Sequence, residues 1–416
     1  MCGFVCTNKD LEYSKSNKKI KSRGPDFTNS VKLDKFNIVH NLLDISGLKI
    51  LQPITRDNVT IFFNGEIYEP YNEIESKTII PLYKEYGEKF IEKINGEYAL
   101  VIIDHSKELI LAYSDIFATK PLYYSINDNN IGISSYESEL HNLNFKDIKR
   151  VNSSTYIKIN LKNNSYKITD HNNFNLDDNI TNFDSCIESL NNAFEYRCNK
   201  KAGIGLSSGY DSGSILKYYL NTGNKKGTFY YVDTNNEDEN IIKDRINLCK
   251  DNKLKYRIIN YKKPINKLLY DNMEKKYLES NMEKYNFYLN EGSTLLYSKI
   301  FQLMKKDNLN IFISGQGGDE ILSNSDHNGN FSFKNLKNKF PWKHFFNGDN
   351  REFIDQQEYI GGSYGIEVRY PFLDKKFVQS FLNLTPKLKN MYYKSPLNVF
   401  LENIDAIRGR GFIENV

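Results

Sequence analysis

The sequence predicts two domains of different class: an N-terminal α+β domain of layered antiparallel sheets, then an α/β domain built on a doubly wound parallel sheet. Three observations predict it. The chain has 416 residues, long for a single core, so two cores are the natural division. Its first half is a series of short runs rich in aromatic and β-branched residues, parted by Asn, Asp, Gly and Lys turns. Beyond a polar stretch the rhythm changes to strand, helix, strand, the order of crossover units on a parallel sheet.

In chain order, residues 59–63, 98–103, 108–113 and 156–159 read as strands. A helix is expected over 78–94, where Ile79, Ile80, Leu82, Tyr83, Tyr86 and Phe90 form a stripe at helical spacing. The stretch 161–184 is polar, with Asn172, Asn173, Asn175, Asp177, Asp178 and Asn179. The expected division is a first domain at 2–165, a linker at 166–184 and a second domain at 185–416. In the latter, 202–206, 228–232, 256–259 and 309–313 read as buried strands, and Ile215, Leu216, Tyr219 and Leu220 line one helix face. Ligands of such a sheet bind beyond the carboxyl ends of its strands.

Composition excludes several classes. The formal net charge is +4 and basic residues are mixed with acidic ones, which speaks against a nucleic-acid partner. The densest basic run, 15–21, reads as a solvated loop. No apolar stretch approaches the ~18 residues of a membrane span and no signal-peptide core follows Met1. The five cysteines (Cys2, Cys6, Cys186, Cys198, Cys249) have no metal-ligand spacing, and an odd number argues against a disulfide framework. A cytoplasmic protein is expected.

Three features carry chemistry. If Met1 is removed, Cys2 is a thiol beside a free α-amine, a nucleophile with its own base. The strand ending at Leu206 runs into Ser207-Ser208-Gly209-Tyr210-Asp211-Ser212 and then a helix. Backbone N–H groups and the helix dipole favour a phosphate there, with no P-loop lysine, although a plain helix cap by Asp211 or Ser212 has the same pattern. The strand ending at Ile313 runs into Ser314-Gly315-Gln316-Gly317-Gly318-Asp319-Glu320. Adjacent acids near a phosphate site suit Mg²⁺, which takes one or two carboxylates plus phosphate oxygens.

These motifs, together with Arg23-Gly24-Pro25-Asp26, Asn64-Gly65-Glu66-Ile67-Tyr68, Lys120-Pro121-Leu122-Tyr123-Tyr124 and Gly365-Ile366-Glu367-Val368-Arg369-Tyr370-Pro371-Phe372-Leu373-Asp374, resemble the glutamine-dependent asparagine synthetase family. The resemblance implies an N-terminal-nucleophile glutaminase domain joined to an ATP-pyrophosphatase synthetase domain. It also implies ATP and Mg²⁺, small-molecule substrates (glutamine and aspartate or another carboxylate), and an assembly that can be a homodimer. By motif, Cys2 is the nucleophile, Asn64 and Gly65 the oxyanion donors, and Glu66 a contact for the glutamine ammonium. Leu206, Ser207, Ser208, Gly209, Asp211, Ser212, Ser314 and Gly315 are the ATP and pyrophosphate contacts, and Asp211 and Asp319 face the metal. Glu367 lies near the acyl-adenylate or the incoming ammonia, and Lys394 falls where a lysine can neutralise pyrophosphate.

The chain departs from that family in places. Its usual arginine two residues after a histidine is Leu42 in His40-Asn41-Leu42, its usual aspartate after a serine is Lys77, and a Gly-Gly-Tyr tail is Ser323-Asn324-Ser325. A bidentate arginine–carboxylate grip has no leucine equivalent, so glutamine would be held differently. Other readings are the same ligation on a sugar acid or secondary-metabolite carboxylate, a tRNA-adenylating pyrophosphatase, and a binding protein that retains the fold. The tRNA reading lacks a basic surface and a sulfur-transfer cysteine pair.

Overall fold

The computed structural model describes residues 2–11, 20–70, 75–127, 129–171, 174–177, 179–233, 237–260, 292–323, 333 and 336–402. Most of the basic run 15–21, and Asn172, Asn173, Asp178, Asn324 and Ser325, lie outside them. The described residues fall into two compact units: one holds those up to Asn173, a stretch ending at Ser298, and Asp355–Glu367; the other holds the rest.

The strands of the first unit, in chain order, are β1 (Gly3–Thr7), β2 (Phe27–Leu33), β3 (Phe36–Leu42), β4 (Ile54–Arg56), β5 (Val59–Glu69), β6 (Asn95–Asp104), β7 (Leu109–Ser114), β8 (Tyr123–Ile126), β9 (Ile131–Ser134), β10 (Lys149–Arg150), β11 (Thr155–Asn160) and β12 (Tyr166–Asp170). They form two six-stranded sheets, ordered β10-β8-β9-β1-β3-β2 and β12-β11-β7-β6-β5-β4. The pairs are antiparallel, as expected from the alternating runs.

Alternation sets the layers. Phe62, Val101, Ile110 and Ile157 point from the second sheet into a core shared with Phe4, Ile38 and Ile133 of the first. Phe4 and Phe62 meet edge to face at 5.1 Å. Their neighbours Ile61, Phe63, Leu100 and Ile102 point the other way and are covered by Ile79, Ile80 and Tyr83 of a helix. That helix spans Ser76–Tyr86, and a 3-10 turn, Gly87–Lys93, replaces the last part of the single helix expected over 78–94. Gly87 is the reason: at φ 60° it caps the helix, its N–H donating to the Tyr83 carbonyl.

The second unit carries β13 (Ala202–Leu206), β14 (Gly227–Asp233), β15 (Lys255–Asn260), β16 (Ile311–Ile313) and β17 (Glu367–Arg369), in the order β15-β14-β13-β16-β17. β13 pairs in parallel with both β14 and β16. The order therefore reverses direction between β13 and β16, and the crevice at such a switch point lies beyond their carboxyl ends. Both Ser/Gly loops begin there.

Gly65 sits at φ 126°, and a Cβ built on it would lie 1.8 Å from the Glu97 carbonyl oxygen of the paired strand. Gly65→Ala should therefore destabilise the protein by about 3 kcal/mol or more, from backbone strain plus overpacking. A thermal unfolding midpoint within one degree of wild type would contradict this.

Candidate active sites

Cys2 directly precedes β1 and is buried. Its backbone N–H donates to Asn64 Oδ1 at 2.7 Å. Asn64 stands in β5, fully buried, and its other side-chain atom, Nδ2, has no hydrogen-bond partner among the described residues. A buried amide donor without a partner costs free energy unless something fills the site. It is an unpaired donor on the same side chain that meets the Cys2 N–H. Gly65 follows it at the strained φ already noted, which only glycine tolerates there.

Burial pushes the Cys2 thiol up. The positive chain terminus and a hydrogen bond from the Leu43 backbone pull it down, while Glu367 and Glu66 raise it further. Glu66, half-buried in β5, and Glu367, buried at the start of β17, are thus both within electrostatic reach of the thiol. His40, also buried, holds the Phe63 carbonyl through Nε2 at 3.2 Å. Burial lowers it to about 4, so it is neutral at pH 7. Leu42 is buried and Lys77 exposed in the first turn of its helix. Sequence reasoning gave Arg23 no role, yet its Nε donates to the Cys2 carbonyl at 3.0 Å.

In the second unit, Leu206 closes β13 and residues 207–212 turn into the helix Tyr210–Thr222. The residue at the helix N-cap is Gly209, with no side-chain cap bond, so neither Asp211 nor Ser212 serves as the cap. Ser212 Oγ instead holds Ser207, 2.8 Å from Ser207 Oγ and 3.2 Å from its N–H. The Ser208 N–H donates to Glu237 Oε2 at 2.7 Å. Beneath the loop lies buried Arg245, which donates to the carbonyls of Ser207 and Gly209 and to Ser212 Oγ. Burial lowers it to about 10, so it remains a cation at neutral pH. Neither Glu237 nor Arg245 was visible as a site residue; each looks like an ordinary charge around a helix start or face.

The second loop is brought against the first by its glycines. A Cβ on Gly318 would fall 2.2 Å from Asp211 Oδ1, and one on Gly315 would fall 3.1 Å from Asp211 Cβ. Ser314 ties the loop down through its N–H to the Arg369 carbonyl at 2.9 Å, and its Oγ accepts from the Gln316 N–H. Asp211 and Asp319 thus share one neighbour: Lys394 Nζ lies 2.8 Å from both carboxylate oxygens of Asp211 and 2.8 Å from Asp319 Oδ1. Tyr393 donates to the same Asp319 oxygen at 2.7 Å. Lys394 holds a left-handed conformation, φ 45°, a strained setting for a lysine that aims its buried ammonium at the pair.

Electrostatics follow from that geometry. Burial raises Asp211, and the Asp319 charge adds to it against the pull of Lys394. Burial also lifts Asp319, but Lys394 and Tyr393 outweigh it and hold it below the usual range. Lys394 is held above its own range, because two carboxylates more than offset burial. Two hard carboxylates beside an anion-favouring loop are a donor set that fits Mg²⁺.

Residues 1–176 match the family described as the glutamine amidotransferase domain. A Methanocaldococcus jannaschii protein named asparagine synthetase (glutamine-hydrolyzing) 1 is 27% identical over 90% of this chain and 75% of its own length. An Acanthamoeba polyphaga mimivirus protein, also named for glutamine-hydrolysing asparagine synthetase, is 22% identical over 95% of this chain and 80% of its own. A Penicillium rubens protein named as an amidase is 31% identical, over 25% of this chain and 18% of its own length. Over most of its length the chain is similar to proteins named as glutamine-hydrolysing asparagine synthetases.

Replacing Lys394 by Met would leave Asp211 and Asp319 without their cation. Both carboxyls would then titrate higher in the folded than in the unfolded chain. The folded state would bind more protons, so stability would fall as pH rises through the raised values. The loss of unfolding free energy relative to wild type should be small at pH 5 and about 2–3 kcal/mol at pH 8, less than for a fully buried pair, since the Asp319 side chain is 36% exposed. Denaturant titrations at the two pH values measure it; an equal loss at both would refute the assignment.

Proposed function

We propose that the protein is an ATP-dependent amide ligase that converts aspartate to asparagine with ammonia taken from glutamine. The observation that carries the reading is Asn64, which accepts from the Cys2 N–H with Oδ1 and holds a buried donor, Nδ2, without a partner among the described residues. Similarity to asparagine synthetases over 90% of the chain supports the same reading.

In the glutaminase reaction, removal of Met1 would free the Cys2 amine. That amine takes the thiol proton as sulfur attacks the amide carbon of glutamine. Asn64 Nδ2 and the Gly65 N–H donate to the oxyanion, where one such donor is worth roughly 10²–10³ in rate. The proton passes to the leaving nitrogen, ammonia departs, and water cleaves the thioester to glutamate. Glu66 receives the substrate ammonium.

In the synthetase reaction, an aspartate carboxylate oxygen attacks the α-phosphorus of ATP and pyrophosphate leaves. Ammonia then attacks the acyl carbon of the adenylate, and AMP leaves. Leu206, Ser207, Ser208, Gly209, Asp211 and Ser212, with Ser314 and Gly315, form the cradle, and Lys394 balances charge on the departing pyrophosphate. Mg²⁺, when bound by Asp211 and Asp319, would screen the phosphate charge. Glu367 is the residue we assign to handling the incoming ammonia. A second reading, the same chemistry on another carboxylate, is favoured by the similarity to the Penicillium rubens amidase.

The mature protein should begin at Cys2, which intact-mass analysis of active protein reads directly. Cys2→Ala should abolish glutamine-driven amidation and keep ammonia-driven amidation; equal loss of both would show that the nucleophile is misassigned. Asp211→Asn should remove pyrophosphate release with either nitrogen donor, about 10²-fold or more for a lost electrostatic contact to reacting phosphates. Normal specific activity in a variant with merely lowered melting temperature would assign Asp211 a structural role instead.

A further inference from the structure

The nucleophile unit buries more charge than the proposed chemistry uses. Arg23 and Lys120 are both buried, and both are held by one buried carboxylate, Glu358. Arg23 Nη2 lies 3.0 Å from Glu358 Oε2, and Lys120 Nζ 2.7 Å from Oε1. Arg23 Nη1 donates to the Tyr136 hydroxyl at 3.0 Å and to the Glu358 backbone carbonyl at 3.3 Å. The remaining edge of the guanidinium, Nε, is the one that donates to the Cys2 carbonyl.

We propose that Glu358 is a positioning residue for the nucleophile: it clamps Arg23, and Arg23 in turn fixes the Cys2 carbonyl and so the direction of the thiol. The proposal rests on the reading of Cys2 as nucleophile. Once Met1 is gone, Cys2 is joined to the chain on one side only, and no preceding peptide restrains it. Its orientation then depends on three contacts: Asn64 Oδ1 at its nitrogen, Leu43 N–H at its sulfur and Arg23 Nε at its carbonyl. The first two come from, or just after, strands of the sheets. The third comes from a long side chain that would have many rotamers without an anchor at its far end. With Nη2 on the Glu358 carboxylate and Nη1 on the Tyr136 hydroxyl and the Glu358 carbonyl, the planar guanidinium is left one orientation.

The competing role for Glu358 is charge balance alone, since two buried cations without a partner would be strongly destabilising. Glu358→Gln combined with Lys120→Met separates the two, because one negative and one positive charge leave together. Glu358→Asp is the companion variant: it keeps the charge but withdraws the carboxylate from Arg23 by one methylene. Both are made in the full-length chain and measured for glutamine hydrolysis, ammonia-driven pyrophosphate release and melting temperature.

Each variant is expected to lose about 10- to 100-fold in glutaminase kcat, the scale of a small misplacement of a reacting group. KM for glutamine should stay within about threefold, since uniform binding is untouched. Ammonia-driven release should stay at the wild-type level. Wild-type kcat in either variant overturns the proposal, as does a loss shared equally by the ammonia-driven reaction. Absence of glutaminase in the wild type, or its persistence in Cys2→Ala, would instead overturn the reading of the nucleophile on which it rests.

Discussion

The nucleophile unit is organised around a carboxylate that two buried cations share. Arg23 and Lys120 would each be costly to strand in a dry interior, and Glu358 meets both, with Glu97 a further 3.7 Å from Lys120. The helix that carries Glu358, Asp349–Tyr364, presents a stripe at i, i+3, i+4 and i+7. Asp355 pairs with Arg150 at 2.6 Å, and Tyr359 shares a hydrogen bond with Tyr123 at 2.7 Å. Gly362 leaves room for Tyr136 and Arg23, since a Cβ there would lie 2.3 Å from the Tyr136 hydroxyl. One small residue therefore permits the close approach that the ion pair needs.

Much of this architecture was legible in the sequence where burial and periodicity coincide. β5, β6, β7 and β11 were visible because aromatic and β-branched residues alternate into two different cores. β2 and β12 were not, because both are edge strands with mostly exposed or half-exposed residues and little apolar pattern. β12 lies inside the stretch that composition marks as polar. β1 is buried at every position and only five residues long, so it carries no alternation to read. The return of residues 355–367 to the first unit is a contact between distant parts of the chain, and local composition holds no trace of it.

The phosphate-type loops were legible for a different reason. Close backbone approach requires glycine and small hydroxyl residues, and such runs stand out. Gly318 and Gly315 meet that requirement where the loop passes Asp211. What the runs do not encode is the charge placed beneath and beside them. Arg245 sits in a helix where a surface arginine would look the same, and it is seen as part of the site only because its guanidinium reaches the carbonyls of Ser207 and Gly209. Lys394 was legible by resemblance alone. Its grip on both carboxylates depends on a left-handed backbone turn that nothing in a lysine codon neighbourhood announces.

The two sites also differ in how they manage charge, and the difference bears on mechanism. Around Asp211 and Asp319 a fixed cation already balances the anions, so the pair is not a site of bare carboxylates. Around Cys2 the balance runs the other way. Burial raises the thiol, and Glu367 and Glu66 add to it against the pull of the chain terminus and the Leu43 N–H, so a standing thiolate is disfavoured. If Cys2 is the nucleophile, as proposed, it must lose its proton during attack rather than before it, which needs a base in contact with sulfur. His40 leaves Nδ1 without a hydrogen-bond partner among the described residues, but burial lowers it to about 4, which makes it a weak base at pH 7. The α-amine that loss of Met1 would expose is attached to the same residue as the thiol, and α-amines ordinarily titrate near neutrality, the range in which a general base works best. The neutral donor at Asn64 complements this arrangement: it can stabilise an oxyanion without lowering the thiol beforehand. A thiol held mainly protonated by burial is therefore matched, under the proposed reading, by a base carried on the same residue.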